Sequence, residues 1–222
     1  MATRLQRLLT TLGRAHRGAA EPLRDPWHAI LYENVAYLCT DDARDRAFAA
    51  LERATGLDPA GIVEAPDDVL LEVCGAGKVG ARCVDKLREC AQFAVTVGDP
   101  RALVKLPPAQ ARAALKRFPG IGDPGADRLL LFAGAAAPVA LESNGLRALL
   151  RLGYGTEAAN YATSYRSARV AAEAELPRTA VARQRLFTSM RQHGRAICRA
   201  TPNCAACAVA DDCPSRRGSG RR

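Results

Sequence analysis

Four cysteines within residues 198–213 have the spacing of metal ligands. Cys198, Cys204, Cys207 and Cys213 are separated by five, two and five residues. Thiolates at such short spacings in one compact loop are typical ligands of an iron–sulfur cluster or of a zinc ion. No apolar signal-peptide core is evident in the N-terminal segment, so a disulfide framework of the secreted kind is less favoured. The thiolates suit either metal.

A glycine-rich turn at Phe118–Gly122 has the chemistry of a phosphate site. Gly120 and Gly122 carry no Cβ, so the backbone can turn tightly and expose its N–H groups. The helix that follows adds the positive end of its dipole, and such amides bind a phosphate group. Ile121, between the glycines, is expected to anchor the turn in the core. An ordinary interhelical turn is the alternative interpretation.

The turn, Phe-Pro-Gly-Ile-Gly, resembles the helix-hairpin-helix motif, Leu-Pro-Gly-Val-Gly, of the endonuclease III superfamily of DNA glycosylases. That resemblance implies that the hairpin binds duplex DNA. The residues concerned are Gly120, Ile121, Gly122 and Gly125.

Residues 141–147, Leu-Glu-Ser-Asn-Gly-Leu-Arg, resemble the family pattern Val/Leu-Asp-X-Asn-X-X-Arg. The resemblance implies that Glu142 stands where the family has its catalytic Asp. Asn144 matches the Asn found in the adenine-mismatch branch, and Arg147 matches the Arg that meets DNA. Ser143 or Asn144 would position water or the sugar–phosphate backbone.

A carboxylate suits this position because breaking an N-glycosidic bond builds positive charge on the sugar, which the carboxylate can stabilise while it orients water. Glu142 could equally be a first-turn acid that favours a helix N-terminus. Glu is one methylene longer than Asp, and a misplacement of about 1 Å can cost on the order of a hundredfold in rate. The chain is therefore predicted to be a DNA glycosylase, with a non-catalytic binder of abasic or distorted DNA as the alternative.

Pro124 occupies the position at which bifunctional members of the family carry a nucleophilic Lys. Such a Lys attacks the sugar and forms a Schiff base. Proline has no nucleophilic side chain, so we expect a monofunctional enzyme without lyase activity.

The cysteine spacing resembles the endonuclease III pattern of six, two and five residues, with one residue fewer in the first gap. A hairpin, then an acidic helix start, then a cysteine loop repeats the layout of the superfamily. The resemblance therefore implies a [4Fe–4S] cluster on the four cysteines. A structural zinc ion is the alternative, and a zinc-stapled helical nucleic-acid module is a third, weaker interpretation.

Further DNA contacts are suggested by residues 27–39, which resemble the early helix that fills the gap left by a flipped base. Asn34 and Tyr37 would lie near the end of that helix. Tyr37 could stack in the duplex or be an ordinary half-buried aromatic residue. Three basic residues are further candidates for phosphate contacts: Lys116, Arg195 and Arg199.

The elements that must position these residues are predicted to be helices. The apolar residues are mostly Ala, Leu and Val, only 5% of the chain is aromatic, and no alternating strand pattern occurs. Asp-Pro pairs at residues 25, 58 and 99 have the form of helix starts. Segment 79–97 has helical spacing, which makes Cys83 and Cys90 core residues rather than ligands. Further helices are predicted over 124–134, 144–152, 156–175 and 178–197.

We therefore expect an all-α fold of two lobes. Residues 25–138 would form a six-helix lobe that carries the hairpin. Residues 1–24 and 139–222 would form an iron–sulfur cluster lobe, with Leu5, Leu8, Leu9 and Leu12 as one buried helical stripe. Residues 215–222 would be a disordered basic tail.

The formal net charge of +9 favours a polyanionic partner, here duplex DNA, although an arginine-rich composition can have other origins. No apolar stretch approaches the about 18 residues needed to span a membrane. We expect a monomeric cytoplasmic protein associated with the nucleoid.

Overall fold

The computed structural model describes residues 1–16, 22–36, 39–75 and 80–219. Within those ranges the chain forms thirteen α-helices, one short 3-10 helix and no strand, which confirms the predicted all-α fold. The α-helices are α1 (Arg4–Ala15), α2 (Pro26–Asn34), α3 (Asp41–Thr55), α4 (Pro59–Glu64), α5 (Asp67–Cys74), α6 (Gly80–Thr96), α7 (Pro100–Leu103), α8 (Pro108–Leu115), α9 (Asp123–Phe132), α10 (Ser143–Arg151), α11 (Tyr161–Glu175), α12 (Ala180–Ala196) and α13 (Pro214–Ser219). None of the described helices is long and apolar enough to cross a membrane.

The chain divides into two compact units. The central unit is residues 23–135, and the terminal unit is residues 1–22 together with 136–222. The central unit therefore contains α2 to α9, and the terminal unit contains α1 and α10 to α13.

Helices of the central unit begin where the sequence predicts them. The side chains of Asp25, Asp58 and Asp99 each accept a backbone N–H in the first turn of the helix that follows, and a proline stands at the start of each helix. Trp27 is fully buried, and its indole N–H donates to the carbonyl of Leu57 at 2.7 Å. This hydrogen bond ties α2 to the turn that follows α3.

Three cysteines of the central unit, Cys74, Cys83 and Cys90, are buried, as predicted for Cys83 and Cys90, whereas Cys39 is partly exposed. Burial raises the pKa of the Cys90 thiol to about 12. The structure also pairs Cys74, at the end of α5, with Cys83 in α6 as a disulfide, with 5.9 Å between the Cα atoms. The sequence interpretation did not predict this pair, because it treated Cys83 only as an apolar core residue.

The terminal unit is built on the predicted leucine stripe. Leu5, Leu8, Leu9 and Leu12 are at most 2% exposed, and α1 packs against α12 and α11. Burying each leucine contributes about 2 kcal/mol. The side chain of Thr3 accepts the N–H of Gln6 and the Gln6 side chain accepts the N–H of Thr3, which fixes the start of α1.

Two expectations from the sequence differ from the structure. The helix expected from residue 156 begins at Tyr161, because the side chain of Asn160 caps it by accepting the N–H of Thr163 at 2.8 Å. The tail expected to be disordered contains α13, in which the Ser215 hydroxyl donates to the carbonyl of Arg151 at 3.0 Å. Residues 220–222 lie outside the described ranges.

Candidate functional site

The hairpin turn between α8 and α9 exposes its glycines and buries its apolar residue. Gly120 has φ of +74°, a conformation that favours glycine, and Gly122 caps α9 in an extended conformation. Gly120 and Gly122 are exposed, whereas Ile121 is only 4% exposed and its N–H donates to the carbonyl of Phe118 at 3.1 Å. Ile121 thus anchors the turn in the core, as expected, and its inclusion among the predicted DNA contacts stays a prediction.

The first turn of α9 supplies backbone donors beside these glycines. Its first N–H groups have no acceptor within the helix, because no turn precedes them. Gly125 lies in this turn, where an added Cβ would come within 3.3 Å of Ile121 Cγ2. Glycine at position 125 therefore allows the first turn of α9 to pack closely against Ile121.

The side chain of Asn34 stabilises the hairpin turn through hydrogen bonds. Its Nδ2 donates to the carbonyl of Pro119 at 2.9 Å and to the carbonyl of Ile30 at 3.0 Å. A Cβ at Gly120 would lie 2.7 Å from Asn34 Oδ1. Asn34 is 4% exposed, and its side chain holds the hairpin. The DNA contact expected of it stays a prediction. Tyr37, the other predicted residue of this helix, lies outside the described residues.

Charged side chains surround the start of α9. Lys116 forms an ion pair with Asp123, and Arg112 contacts Asp123 at 3.2 Å and Asp127 at 2.8 Å. The hydrogen bond from Lys116 and the nearby charge of Arg112 lower the pKa of Asp123. Lys116, predicted as a phosphate contact, is therefore already paired with Asp123, beside the backbone N–H groups at the start of α9.

In the terminal unit, Glu142 is the N-cap of α10. Its Oε1 accepts the N–H of Gly145 at 2.6 Å, and its Oε2 accepts a hydrogen bond from Asn144 Nδ2 at 2.9 Å. Glu142 is half-buried, whereas Ser143 is exposed. The capping role considered for Glu142 is thus observed, and both carboxylate oxygens have a local donor.

Arg147 connects this carboxylate to the cysteine segment. One guanidinium nitrogen donates to Asn144 Oδ1 at 2.8 Å and to the carbonyl of Gly194 at 3.0 Å. The Nε donates to the carbonyl of Cys198 at 3.1 Å. These donors are directed to acceptors within the terminal unit, and the DNA contact expected of Arg147 stays a prediction.

Tyr161 is a residue of this site that sequence reasoning missed. It is 44% exposed and stacks on Tyr165, with 6.1 Å between the ring centroids. Burial of its hydroxyl, and the negative charge of Glu142, raise the pKa of Tyr161 to about 12. The proximity to Glu142 arises from the fold; the only sequence signal is the spacing of Tyr161 and Tyr165 on one helix face.

All four candidate metal ligands line one cavity of about 170 Å³ in the terminal unit. Cys198, Cys204, Cys207 and Cys213 are partly exposed free thiols. The described residues contain no group of three or more His, Cys, Asp or Glu side chains close enough to hold a single metal ion. Four free thiols that line one cavity have the chemistry of iron–sulfur ligands.

The wall of this cavity is fixed by α10. Arg151 donates to the carbonyls of Arg199 at 2.6 Å and Ala200 at 3.0 Å, and its Nη1 lies 3.5 Å from Cys198 Sγ. In turn, the thiol of Cys213 lies 3.3 Å from the carbonyl of Arg151. Arg199 is exposed and Arg195 is partly exposed, and their predicted phosphate contacts stay predictions.

A buried histidine also faces the cavity. His193 is 2% exposed, and its Nε2 lies 3.7 Å from Cys207 Sγ. Its Nδ1 lies 3.2 Å from Nε2 of His16. Burial first, and then the neighbouring His16, lower the pKa of His193 to about 4.

No protein-family profile and no curated protein matches the sequence. Solved structures do match. A trapped endonuclease III–DNA covalent intermediate, in an estranged-adenine complex, has a TM-score of 0.76 and 17% identity over 100% of both chains. A non-covalent endonuclease III–DNA complex has a TM-score of 0.75 and 17% identity, again over 100% of both chains.

A thermostable thymine-DNA glycosylase is also similar, with a TM-score of 0.73 and 16% identity over 95% of this chain and 94% of that one. Identities this low establish the fold alone. The chain has the all-α fold of the endonuclease III structures.

Proposed function

We propose that this protein is a DNA glycosylase of base-excision repair, which binds duplex DNA and hydrolyses the bond between a damaged or mismatched base and its sugar. The observation that carries the proposal is the half-buried Glu142 carboxylate at the start of α10, in a fold shared with solved DNA glycosylases. We further propose that the protein acts as a monomer and is associated with the nucleoid.

The chemistry assigns Glu142 the role of stabilising the positive charge that develops on the sugar as the glycosidic bond breaks. Asn144 and the N–H of Gly145 hold the two carboxylate oxygens, so the group has a fixed orientation. Ser143 is exposed beside it and would position water or the sugar–phosphate backbone. Tyr161 provides an exposed aromatic surface close to the same carboxylate.

Duplex DNA would be bound through its phosphates by the hairpin. Backbone N–H groups at the exposed Gly120 and Gly122 and at the half-buried Gly125, together with the dipole of α9, suit one phosphate group. The net charge of +9 adds attraction that does not depend on sequence. Access to a base inside a duplex requires that the base be flipped out of the stack.

The four cysteines fit a [4Fe–4S] cluster, because their free thiols line one cavity and thiolates are the ligands of such clusters. When bound, the cluster would cross-link the segment 198–213 and supply a one-electron redox centre. The chain itself holds this segment through Arg147 and Arg151. A purified protein with four irons per chain is expected; one tightly bound zinc would contradict it.

A second candidate function is a non-catalytic binder of abasic or distorted DNA. Two observations favour it: Glu142 replaces the shorter Asp, and both of its oxygens are already hydrogen-bonded within α10. Pro124 excludes the family's lysine nucleophile under either function.

Base release from duplexes that carry single lesions and mismatches separates the two functions. Wild type is compared with Glu142→Gln, and Glu157→Gln, at an exposed position, is the matched control. A glycosylase gives strand breaks at one lesion that require alkali, and the breaks are lost in Glu142→Gln but kept in Glu157→Gln.

If neither wild type nor Glu142→Gln releases a base while both bind the duplexes, the non-catalytic function is the better account. Borohydride treatment during the same assay tests the lyase prediction. A covalent complex with abasic DNA would contradict the monofunctional proposal.

A further inference from the structure

His193 connects one candidate cluster ligand to a second histidine. Its imidazole lies between Cys207 Sγ, 3.7 Å from Nε2, and His16 Nε2, 3.2 Å from Nδ1. The ring is 2% exposed, so water does not compete at either nitrogen. His16 closes α1 as its C-cap, and His193 lies in the last turn of α12.

The two contacts select one arrangement of the ring protons. A neutral imidazole has one N–H donor and one acceptor nitrogen. With its proton on Nε2, His193 donates to the sulfur, and its Nδ1 accepts the Nε2–H of His16. The opposite tautomer would point a lone pair at the sulfur, which is unfavourable once Cys207 is a thiolate ligand.

We propose that His193 donates a hydrogen bond to the thiolate of Cys207 and thereby raises the reduction potential of the cluster, and that His16 positions His193 for this bond. The inference rests on the [4Fe–4S] site proposed above. A donor at a ligand sulfur stabilises the reduced form more, because that form carries more negative charge. His193 is thus a positioning and tuning residue of the cluster, with no contact to DNA required.

Other donors also lie near ligand sulfurs: the backbone N–H of Val209 bonds to the Cys207 sulfur, and Arg151 Nη1 lies 3.5 Å from Cys198 Sγ. The Val209 bond comes from the backbone, so side-chain variants keep it, and Arg151 is the donor side chain to compare with His193. It is a partly buried cation that also holds two backbone carbonyls, so its loss would disturb the loop. His193 contacts a different sulfur and is neutral in the proposed arrangement. A variant at His193 therefore tests hydrogen bonding with little change in loop anchoring.

The test measures iron, sulfide and the midpoint potential of the one-electron cluster couple at an electrode. The variants are His193→Phe, His16→Phe and the matched control His28→Phe. His28 lies in the central unit, where its ring contacts Phe48. We expect a lower midpoint potential in His193→Phe, a smaller decrease in His16→Phe, and no change in His28→Phe.

An unchanged potential in His193→Phe with full iron and sulfide would overturn the inference and leave the proposed cluster intact. Zinc, or no metal, in wild type would overturn both this inference and the proposed cluster. Metal analysis distinguishes that outcome from an unchanged potential in a fully loaded protein. If His193→Phe does not load iron, His28→Phe protein with 15N-labelled histidine is poised at the electrode in its paramagnetic state. A 15N hyperfine coupling to the cluster supports the bond, and its absence refutes it.

Discussion

Asn34 illustrates how one buried side chain sets the shape of an exposed turn. Replacing it with Ala leaves the carbonyl of Pro119 without its donor, and an unpaired buried group costs about 1–3 kcal/mol. We expect Asn34→Ala to lower the free energy of unfolding by that amount, measured by urea denaturation. It should also weaken duplex binding, because the glycines lose their support.

Gln110→Ala, an exposed change on α8, serves as the control and should alter neither quantity. Gly120→Ala supplies a coupled test, because its Cβ would meet Asn34 Oδ1 at 2.7 Å. The double variant should be less destabilised than the sum of the two single changes. Additive effects would show that Asn34 does not support the turn.

Asp123 is the second residue that controls the hairpin. Its folded-state pKa is lowered from 3.8 by Lys116 and Arg112, so its contribution to stability is present above pH 3.8 and is lost as the pH falls through the lower folded value. We expect Asp123→Asn to be less stable than wild type at pH 7, with a difference that disappears in acid. The measurement is thermal unfolding from pH 7 to pH 2.

The same variant should bind duplex DNA more tightly, because Lys116 is released and a negative charge leaves the phosphate site. Asp42→Asn is the control, since Asp42 is an exposed first-turn acid of α3. A stability difference that persists unchanged at pH 2 would contradict the assigned ion pairs.

At the scale of elements, local signals in the sequence predicted the helices better than their contacts. The side-chain caps at Asp25, Asp58 and Asp99 need only neighbouring residues, so each could be recognised from an Asp-Pro pair. The contacts of Asn34 and Arg147 could not. Their partners Pro119 and Cys198 are 85 and 51 residues away in the sequence.

The burial of Asn34 shows which information a prediction from the sequence lacks at this point. A polar residue at a helix end has the same local pattern whether it faces DNA or a buried carbonyl. Only the position of a distant turn decides between them, and a single sequence does not contain that position. The Cys74–Cys83 disulfide could not be predicted for the same reason, because it depends on how α5 packs against α6.

The packing of α10 against α12 depends on Gly194. A Cβ there would overlap the carbonyl of Asn144, so the two helix backbones meet at this point. We expect Gly194→Ala to destabilise the protein by about 3 kcal/mol, because backbone atoms cannot move aside as a flexible side chain can. It should also displace Asn144 from Glu142 and reduce base release.

Gly80→Ala is the matched control, since among the described residues its Cβ would meet the carbonyl of Cys74 alone, at an ordinary 3.9 Å. Urea unfolding of both variants makes the comparison. Equal stability of the two variants would indicate that α10 and α12 can separate at no cost, contrary to the observed packing.

At the scale of the whole molecule, the central unit has a covalent cross-link and the terminal unit has the site proposed for a cluster. The central unit has the Cys74–Cys83 disulfide, and the terminal unit has the four-cysteine cavity. Metal binding contributes directly to folding where no rigid site forms without it. The segment 198–213 contains one short 3-10 helix, Cys204–Ala206. Arg147 and Arg151 donate to its carbonyl groups, Arg4 donates to the carbonyl of Asp212, and Val209 is buried in the core of the terminal unit.

Removal of the proposed cluster should therefore loosen the terminal unit alone. We expect chelation after oxidation to increase amide hydrogen exchange in 198–213 and in the last turn of α10, while α2 to α9 keep their protection. The arginine bonds tie the loop to α10, so loss of the loop exposes that helix end first. Reduction of the disulfide in the loaded protein is the reciprocal control, with faster exchange expected in α5 and α6. Uniform loss of protection after chelation would mean that the two units unfold as one cooperative structure, and the cysteine loop would then stabilise the entire chain.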